Sequence, residues 1–181
     1  TGGTNVGRVA GFWAGVTTAF MDGLKALATV WIARGILPAS PVVHALAPVM
    51  AILGHNYSIY LLEKKPGGKI KLRGGAGGAS AVGGAVGLWA PSFLIILPVA
   101  ILALFGLGYA SVATMSVGIS AIIIFGLRGY LGIAPWEYIL YGILTEAILL
   151  WALRPNIQRL INGTERLIGW RAKRQKKLQK S

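Results

Sequence analysis

The sequence predicts an all-α polytopic transmembrane helical bundle, and three observations carry that prediction. Of the 181 residues, 55% are hydrophobic and only 13% are charged, with a mean hydropathy of +0.65; soluble domains carry roughly 25% charged residues. Apolar runs such as "SFLIILPVAILALFGLG" and "WEYILYGILTEAILLWAL" approach the ~20 residues that cross a bilayer core. The basic residues gather in short stretches beside those runs, so a net charge of +13 marks a membrane lipid surface as partner rather than nucleic acid. With no Cys and two His, disulfides and thiolate sites are excluded, and neither a metal site nor a cofactor is expected.

Turn residues divide the chain into about six spans, at roughly 15–36, 41–62, 74–89, 93–108, 111–127 and 135–153. The first ends at "LPASP", where Pro38 and Pro41 interrupt helix, and Pro41 opens the second in a first-turn position. The basic loop "EKKPGGKIKLR" separates the second from a third that starts in glycines and stops at "APS". The fourth carries Pro98 and ends near "GLG", and "RGYLGIAP" parts the fifth from the sixth. Interior prolines such as Pro48 and Pro98 are tolerated where neighbouring helices cover the freed backbone groups. Residues 1–170 read as one membrane domain and 171–181 as a basic tail. Ile157, Leu160, Ile161, Leu167 and Ile168 recur at helical spacing among cations, which suits an amphipathic helix on an anionic leaflet; a flexible basic tail is the alternative beyond residue 170.

Counting crossings puts residues 1–14, the loop 63–73 and everything after 153 on one side. That side holds Arg8, Lys64, Lys65, Lys69, Lys71, Arg73 and nine basic residues from Arg154 to Lys180, against Arg34 and Arg128 opposite. Fifteen against two makes the basic side cytoplasmic.

Asp22 and Lys25 stand inside the first span. Each costs about 2.5–3.5 kcal/mol at a helix centre, and at i and i+3 they can pair. His55, Asn56 and Ser58 form a second polar cluster. Asp22 and His55 both fall roughly 10–12 Å below the cytoplasmic surface at 1.5 Å per residue, which places them in one cavity. Glu146 either faces that cavity or makes a local helix contact.

From Gly74 to Gly87, seven of fourteen residues are glycine. Gly74, Gly75, Gly77 and Gly78 surround a helix N-terminus, where amides and dipole attract anions, with Arg73 as charge partner. Ala79, Gly83 and Gly87 repeat every fourth residue, a seam for close helix packing; packing alone could also account for all of these glycines. "TGGTNVGR" at the start holds Thr4, Asn5 and Arg8 and could bind an anion or cap a helix. Three such segments, 1–8, 73–80 and 154–166, on one face point to a site for a doubly anionic substrate meeting something lipid-like.

These residues resemble the bacterial membrane glycerol-3-phosphate acyltransferases that use acyl phosphate as donor, the PlsY family. "GGTNVGR" is similar to the second half of G-S-G-N-x-G-A-T-N-V-x-R, and "DGLKA" to D-x-x-K-G with Ala26 for Gly. "GHNYSIY" fits G-H-x-x-x-x-F, carrying over Gly54 and His55; "RGGAGGAS" fits K-G-G-K-G-x-A-T through Arg73, Gly74, Gly75, Gly77, Ala79 and Ser80. "LRPNIQRLINGTE" fits H-R-x-N-I-x-R-L-x-x-G-x-E through Arg154, Asn156, Arg159, Gly163 and Glu165. The chain departs from the pattern at Ala76, where the family has an inner lysine, and at Leu153, where it has a histidine; a lysine of the 63–71 loop could replace the lost cation. The resemblance also implies a further N-terminal helix and half-motif before Thr1.

The implied reaction moves a fatty acyl group from acyl phosphate to the 1-hydroxyl of glycerol 3-phosphate, giving lysophosphatidic acid and inorganic phosphate at a bacterial inner membrane, without a cofactor. Arg8, His55 and Asn156 are the implied catalytic residues. Thr4, Asn5, Asp22, Lys25, Arg73, Gly74, Gly75, Gly77, Gly78, Ser80, Arg159 and Glu165 are the implied substrate-binding ones. No Ser-His-Asp set or H-x4-D motif is evident, which leaves positioning and charge stabilisation to carry the rate. A small transporter or binder of anionic lipid precursors, and an inactive relative, are the alternatives.

Overall fold

The computed structural model describes residues 2–64, 68 and 70–178. Its helices are α1 (Gly3–Ala10), α2 (Phe12–Ile36), α3 (Pro41–Asn56), α4 (Gly78–Leu88), α5 (Phe93–Leu102), α6 (Ala110–Tyr130), α7 (Tyr138–Ile161) and α8 (Gly169–Leu178). A hairpin of β1 (Ser58–Lys64) and β2 (Ile70–Arg73) lies between α3 and α4. Four helical stretches are long and apolar enough to cross a membrane: Phe12–Ile36, Ala90–Leu107, Ala110–Tyr130 and Tyr138–Ile161.

The expected second span, 41–62, is too long. α3 stops at Asn56, where Tyr57 N closes the last turn on Leu53 O at 2.9 Å, and the chain leaves as β1. β-branched and aromatic residues at Ile59 and Tyr60 favour strand. The third span is too short to cross alone: eleven residues of α4 at 1.5 Å each reach only about 16 Å. The sixth is longer than expected, because α7 runs through Pro155 to Ile161. Proline deprives Trp151 O of its helical donor, and Arg154 Nε donates to that oxygen instead at 3.0 Å while its guanidinium stacks 3.3 Å over the Trp151 ring. Ile157, Leu160 and Ile161 therefore finish α7 rather than start a surface helix. Residues 162–168 are irregular, and α8 follows.

Small residues set how closely the elements approach. Gly11, at φ 94°, turns α1 back on α2 so that Gly7 and Gly15 meet backbone to backbone. The seam on α4 lies against α2, with Gly83 on the Gly23 backbone and Gly87 on Val30. Beneath them the core is Val30, Ile52, Ile96, Phe125, Tyr141 and Leu149, all fully buried. Phe125 meets Tyr138 and Tyr141 edge to face at 6.0 and 5.8 Å, and the Tyr141 hydroxyl donates to Ala81 O. Outward, Trp13, Phe20, Trp31, Leu94, Leu102 and Trp151 stay exposed, as side chains of a lipid-immersed bundle do. This is a multi-pass membrane protein.

Glu146 is buried on α7 against Gly118 of α6. It packs between the two helices and does not line the cavity described next. α8 is fastened by Trp170 Nε1 donating to Phe105 O at 2.9 Å and Arg171 Nη1 donating to Leu107 O at 3.3 Å.

Candidate active site

A cavity of about 570 Å³ opens at the end of the bundle where α3 and α7 finish and α4 and α6 begin. Three chain segments distant in sequence line it: Gly2–Arg8, Gly74–Ala79 and Ala152–Arg166, the first and last in part. Asp22 and His55 complete one side, and Ala110, Ser111 and Thr114 another.

Three helix N-termini face this space. The first turns of α1, α4 and α6 all contribute wall residues, and none of the three has a side-chain cap. The opening amides of a helix have no intrahelical acceptor and carry the positive end of its dipole, so the backbone alone makes the cavity attractive to anions.

The glycine strap 74–78 crosses the last turn of α3. Gly75 N donates to His55 O at 3.3 Å, and a methyl group on Gly75 would strike Nε2 of the His55 ring. Asn56 Nδ2 donates to Ala76 O at 3.4 Å. Glycine is therefore required for close contact of the strap with α3.

His55 is fixed from behind. Lys25 Nζ lies 2.6 Å from its Nδ1 and 2.7 Å from Asp22 Oδ1, and Asp22 Oδ1 is 3.4 Å from Nδ1. An ammonium only donates, so Nδ1 is assigned as acceptor and the ring proton falls on Nε2, on the strap side. Lys25 does not line the main cavity. It lines a smaller one of about 300 Å³ that also touches Thr29, Ala51, Gly54, His55 and Ser58.

Across the cavity, Glu165 holds two residues. Asn156 Nδ2 donates to its Oε1 at 2.8 Å and Arg159 Nε to its Oε2 at 3.0 Å. The Glu165 side chain is only 6% exposed, so its carboxylate serves Asn156 and Arg159, and both Nη groups of Arg159 stay available. Arg8 sits on α1 with Nη1 at 3.3 Å from Asn5 Oδ1.

Of the residues expected at the site, Arg8, His55, Asn156, Thr4, Asn5, Asp22, Gly74, Gly75, Gly77, Gly78, Arg159 and Glu165 share the one cavity. Ser80 is fully buried on α4 and Lys25 stands behind His55, so neither lines it. Arg73 ends β2 opposite Ser58; its side chain, with that of Lys71, lies outside the described part of the structure, as do Lys65 and Lys69. Lys64 stands at the far end of β1 and is not on the cavity wall.

Sequence reasoning missed Ala110, Ser111 and Thr114, and took in Arg166 only as the end of the segment 154–166. Ser in the first turn after "GLGY" is a helix-start signal, but no motif marks it. The Ser111 hydroxyl is buried without a hydrogen-bond partner among the described residues. Arg166 is one cation among many in a basic tail.

Residues 1–163 match the family described as glycerol-3-phosphate acyltransferase. A relative from Moorella thermoacetica, glycerol-3-phosphate acyltransferase 2, is 32% identical over 177 residues, covering 94% of this chain and 80% of its own length. The glycerol-3-phosphate acyltransferase of Rubrobacter xylanophilus is 33% identical over 171 residues, with 94% and 79% covered. Among solved structures, the integral membrane glycerol 3-phosphate acyltransferase PlsY in its glycerol 3-phosphate form superposes with a TM-score of 0.78 at 28% identity, covering 93% of this chain and 78% of that one. Its lysophosphatidic acid form gives 0.79 at the same identity, with 93% and 79% covered.

Proposed function

The chain belongs to the glycerol-3-phosphate acyltransferase family, and on that premise we propose that it transfers a fatty acyl group from acyl phosphate to the 1-hydroxyl of glycerol 3-phosphate. The products are lysophosphatidic acid and inorganic phosphate, formed at the cytoplasmic face of a bacterial cell membrane. The observation that carries this reading is the convergence of three uncapped helix N-termini with Arg8 and Arg159 on one cavity. Both substrates are phosphates, and a wall of amides and guanidinium groups is what two phosphates need. The fifteen-to-two split of basic residues supports the cytoplasmic placement.

Acyl phosphate arrives already activated, so the protein has to position and stabilise charge. The 1-hydroxyl oxygen forms the new ester bond to the acyl carbon, and the acyl C–O bond to phosphate breaks with its electron pair leaving on phosphate. A phosphate oxygen of glycerol 3-phosphate takes the hydroxyl proton. Nε2–H of His55 and Nδ2 of Asn156 are neutral donors on the wall, suited to the oxygen that gains charge at the acyl carbon. Arg8 and the amides at the starts of α1 and α4 hold phosphate.

The test is phosphate release by purified protein given acyl phosphate and glycerol 3-phosphate. Removing Arg8 or Asn156 by alanine substitution takes away a group acting on developing charge, with an expected loss of about 10²–10³ in turnover. Normal turnover by both variants overturns the assignment. Flux of glycerol 3-phosphate into sealed vesicles without phosphate release identifies a transporter instead.

A further inference from the structure

Two wall positions are uncharged where the family pattern has a cationic or titratable group: Ala76 in the glycine strap and Leu153 on α7. The charge balance around the cavity shows what is left for two phosphates. Asp22 is matched by Lys25 at 2.7 Å, and Glu165 by Arg159 at 3.0 Å. Arg8 is free of acids and reaches only the amide oxygen of Asn5. Among the described residues, the remaining wall cation is Arg166, which lies outside every motif quoted above and makes no hydrogen bond or ion pair with them.

An exposed arginine without a partner is ordinarily just solvated. What separates Arg166 from that case is how its backbone is held. Glu165, immediately before it, is buried and bonded twice. Ile168, two residues after it, donates its N–H to Gly108 O at 2.8 Å, next to the start of α6. The segment is thus tied to α7 on one side and to the α6 entrance on the other, with Arg166 between the ties on the cavity wall. A guanidinium offers five N–H donors and no acceptor, and among the described residues the wall supplies no carboxylate that is still unmatched.

We propose that Arg166 binds a substrate phosphate in this cavity, supplying the cation absent at Ala76. This rests on the acyl-transfer reading and adds a binding residue to it. Which of the two phosphates it takes, that of glycerol 3-phosphate or that of acyl phosphate, is read from the experiment.

Wild type, R166Q, R166K and the double variant R166Q/A76K are prepared as full chains, and kcat and KM are measured for each substrate in turn. Loss of a charge-assisted hydrogen bond raises KM for one phosphate substrate about tenfold or more in R166Q, with kcat within about twofold. R166K keeps most of the affinity, and the lysine at position 76 restores most of it to R166Q. A structural role for Arg166 would not be rescued from the opposite wall. Unchanged KM for both substrates in R166Q, or no recovery in R166Q/A76K, overturns the proposal. A wild type that releases no phosphate sinks the acyl-transfer reading instead. Equilibrium binding of glycerol 3-phosphate and of inorganic phosphate to wild type and R166Q then judges Arg166 alone: at least tenfold weakening for either supports it, and equal affinity for both overturns it.

Discussion

Glu165, expected among the substrate-binding residues, is bonded to two of its neighbours on the cavity wall. A carboxylate facing a phosphate dianion would repel it; bonded to Asn156 and Arg159, it fixes the direction of both. Glu165→Gln keeps an acceptor for Asn156 and loses the ion pair, whereas Glu165→Ala loses both contacts. Phosphate release should therefore fall in the order wild type, Glu165→Gln, Glu165→Ala, with at least a tenfold drop for alanine, since a bond to a charged group contributes about 1.5–3 kcal/mol. Equal activity of all three variants would remove Glu165 from the site's support. His55 was legible as a cavity-lining residue because its depth matches that of Asp22. Lys25 was legible only as an intramembrane cation, because i,i+3 spacing reveals its pairing with Asp22 but not its contact with a ring thirty positions away. Arg154, which the resemblance carries over, spends its guanidinium on Trp151 and on the carbonyl left bare by Pro155.

At the level of elements, periodicity and turn residues located most helices, and the misses have local causes. Apolarity continues from α3 into β1, so composition alone could not separate a helix end from a strand start; the glycine strap docking on the last turn of α3 is a long-range event. The end of α7 was misplaced because Pro155 reads as a stop unless Arg154 is known to fill the gap. The seam on α4 was legible from spacing, but not its partner, α2. That partnership makes a paired stability prediction. A methyl group at Gly83 meets the Gly23 backbone, so Gly83→Ala should cost about 1–3 kcal/mol by overpacking and lower the melting temperature by several degrees. Gly54 has nothing within 4 Å of its would-be methyl group, so Gly54→Ala should match or exceed wild type through helix propensity. Thermal unfolding in detergent reads both, and equal melting temperatures for the two variants would contradict the packing of α4 on α2.

For the whole molecule, the asymmetry of charge predicts an orientation that can be measured directly. The chain has no cysteine, so a single introduced thiol is a clean reporter. Asn162, exposed beside the cavity end, and Ile133, exposed in the turn between α6 and α7, sit at opposite ends of α7. A membrane-impermeant maleimide should label Ile133→Cys in intact cells and Asn162→Cys only in inside-out vesicles; the reverse pattern would put the cavity outside. The meeting of three helix starts at that end has its own outcome. A field generated by peptide bonds cannot be titrated away or mutated out, and it does not discriminate between a fresh phosphate and a spent one. With acyl phosphate as the proposed donor, the inorganic by-product is expected to bind where it was made, and added phosphate should slow turnover.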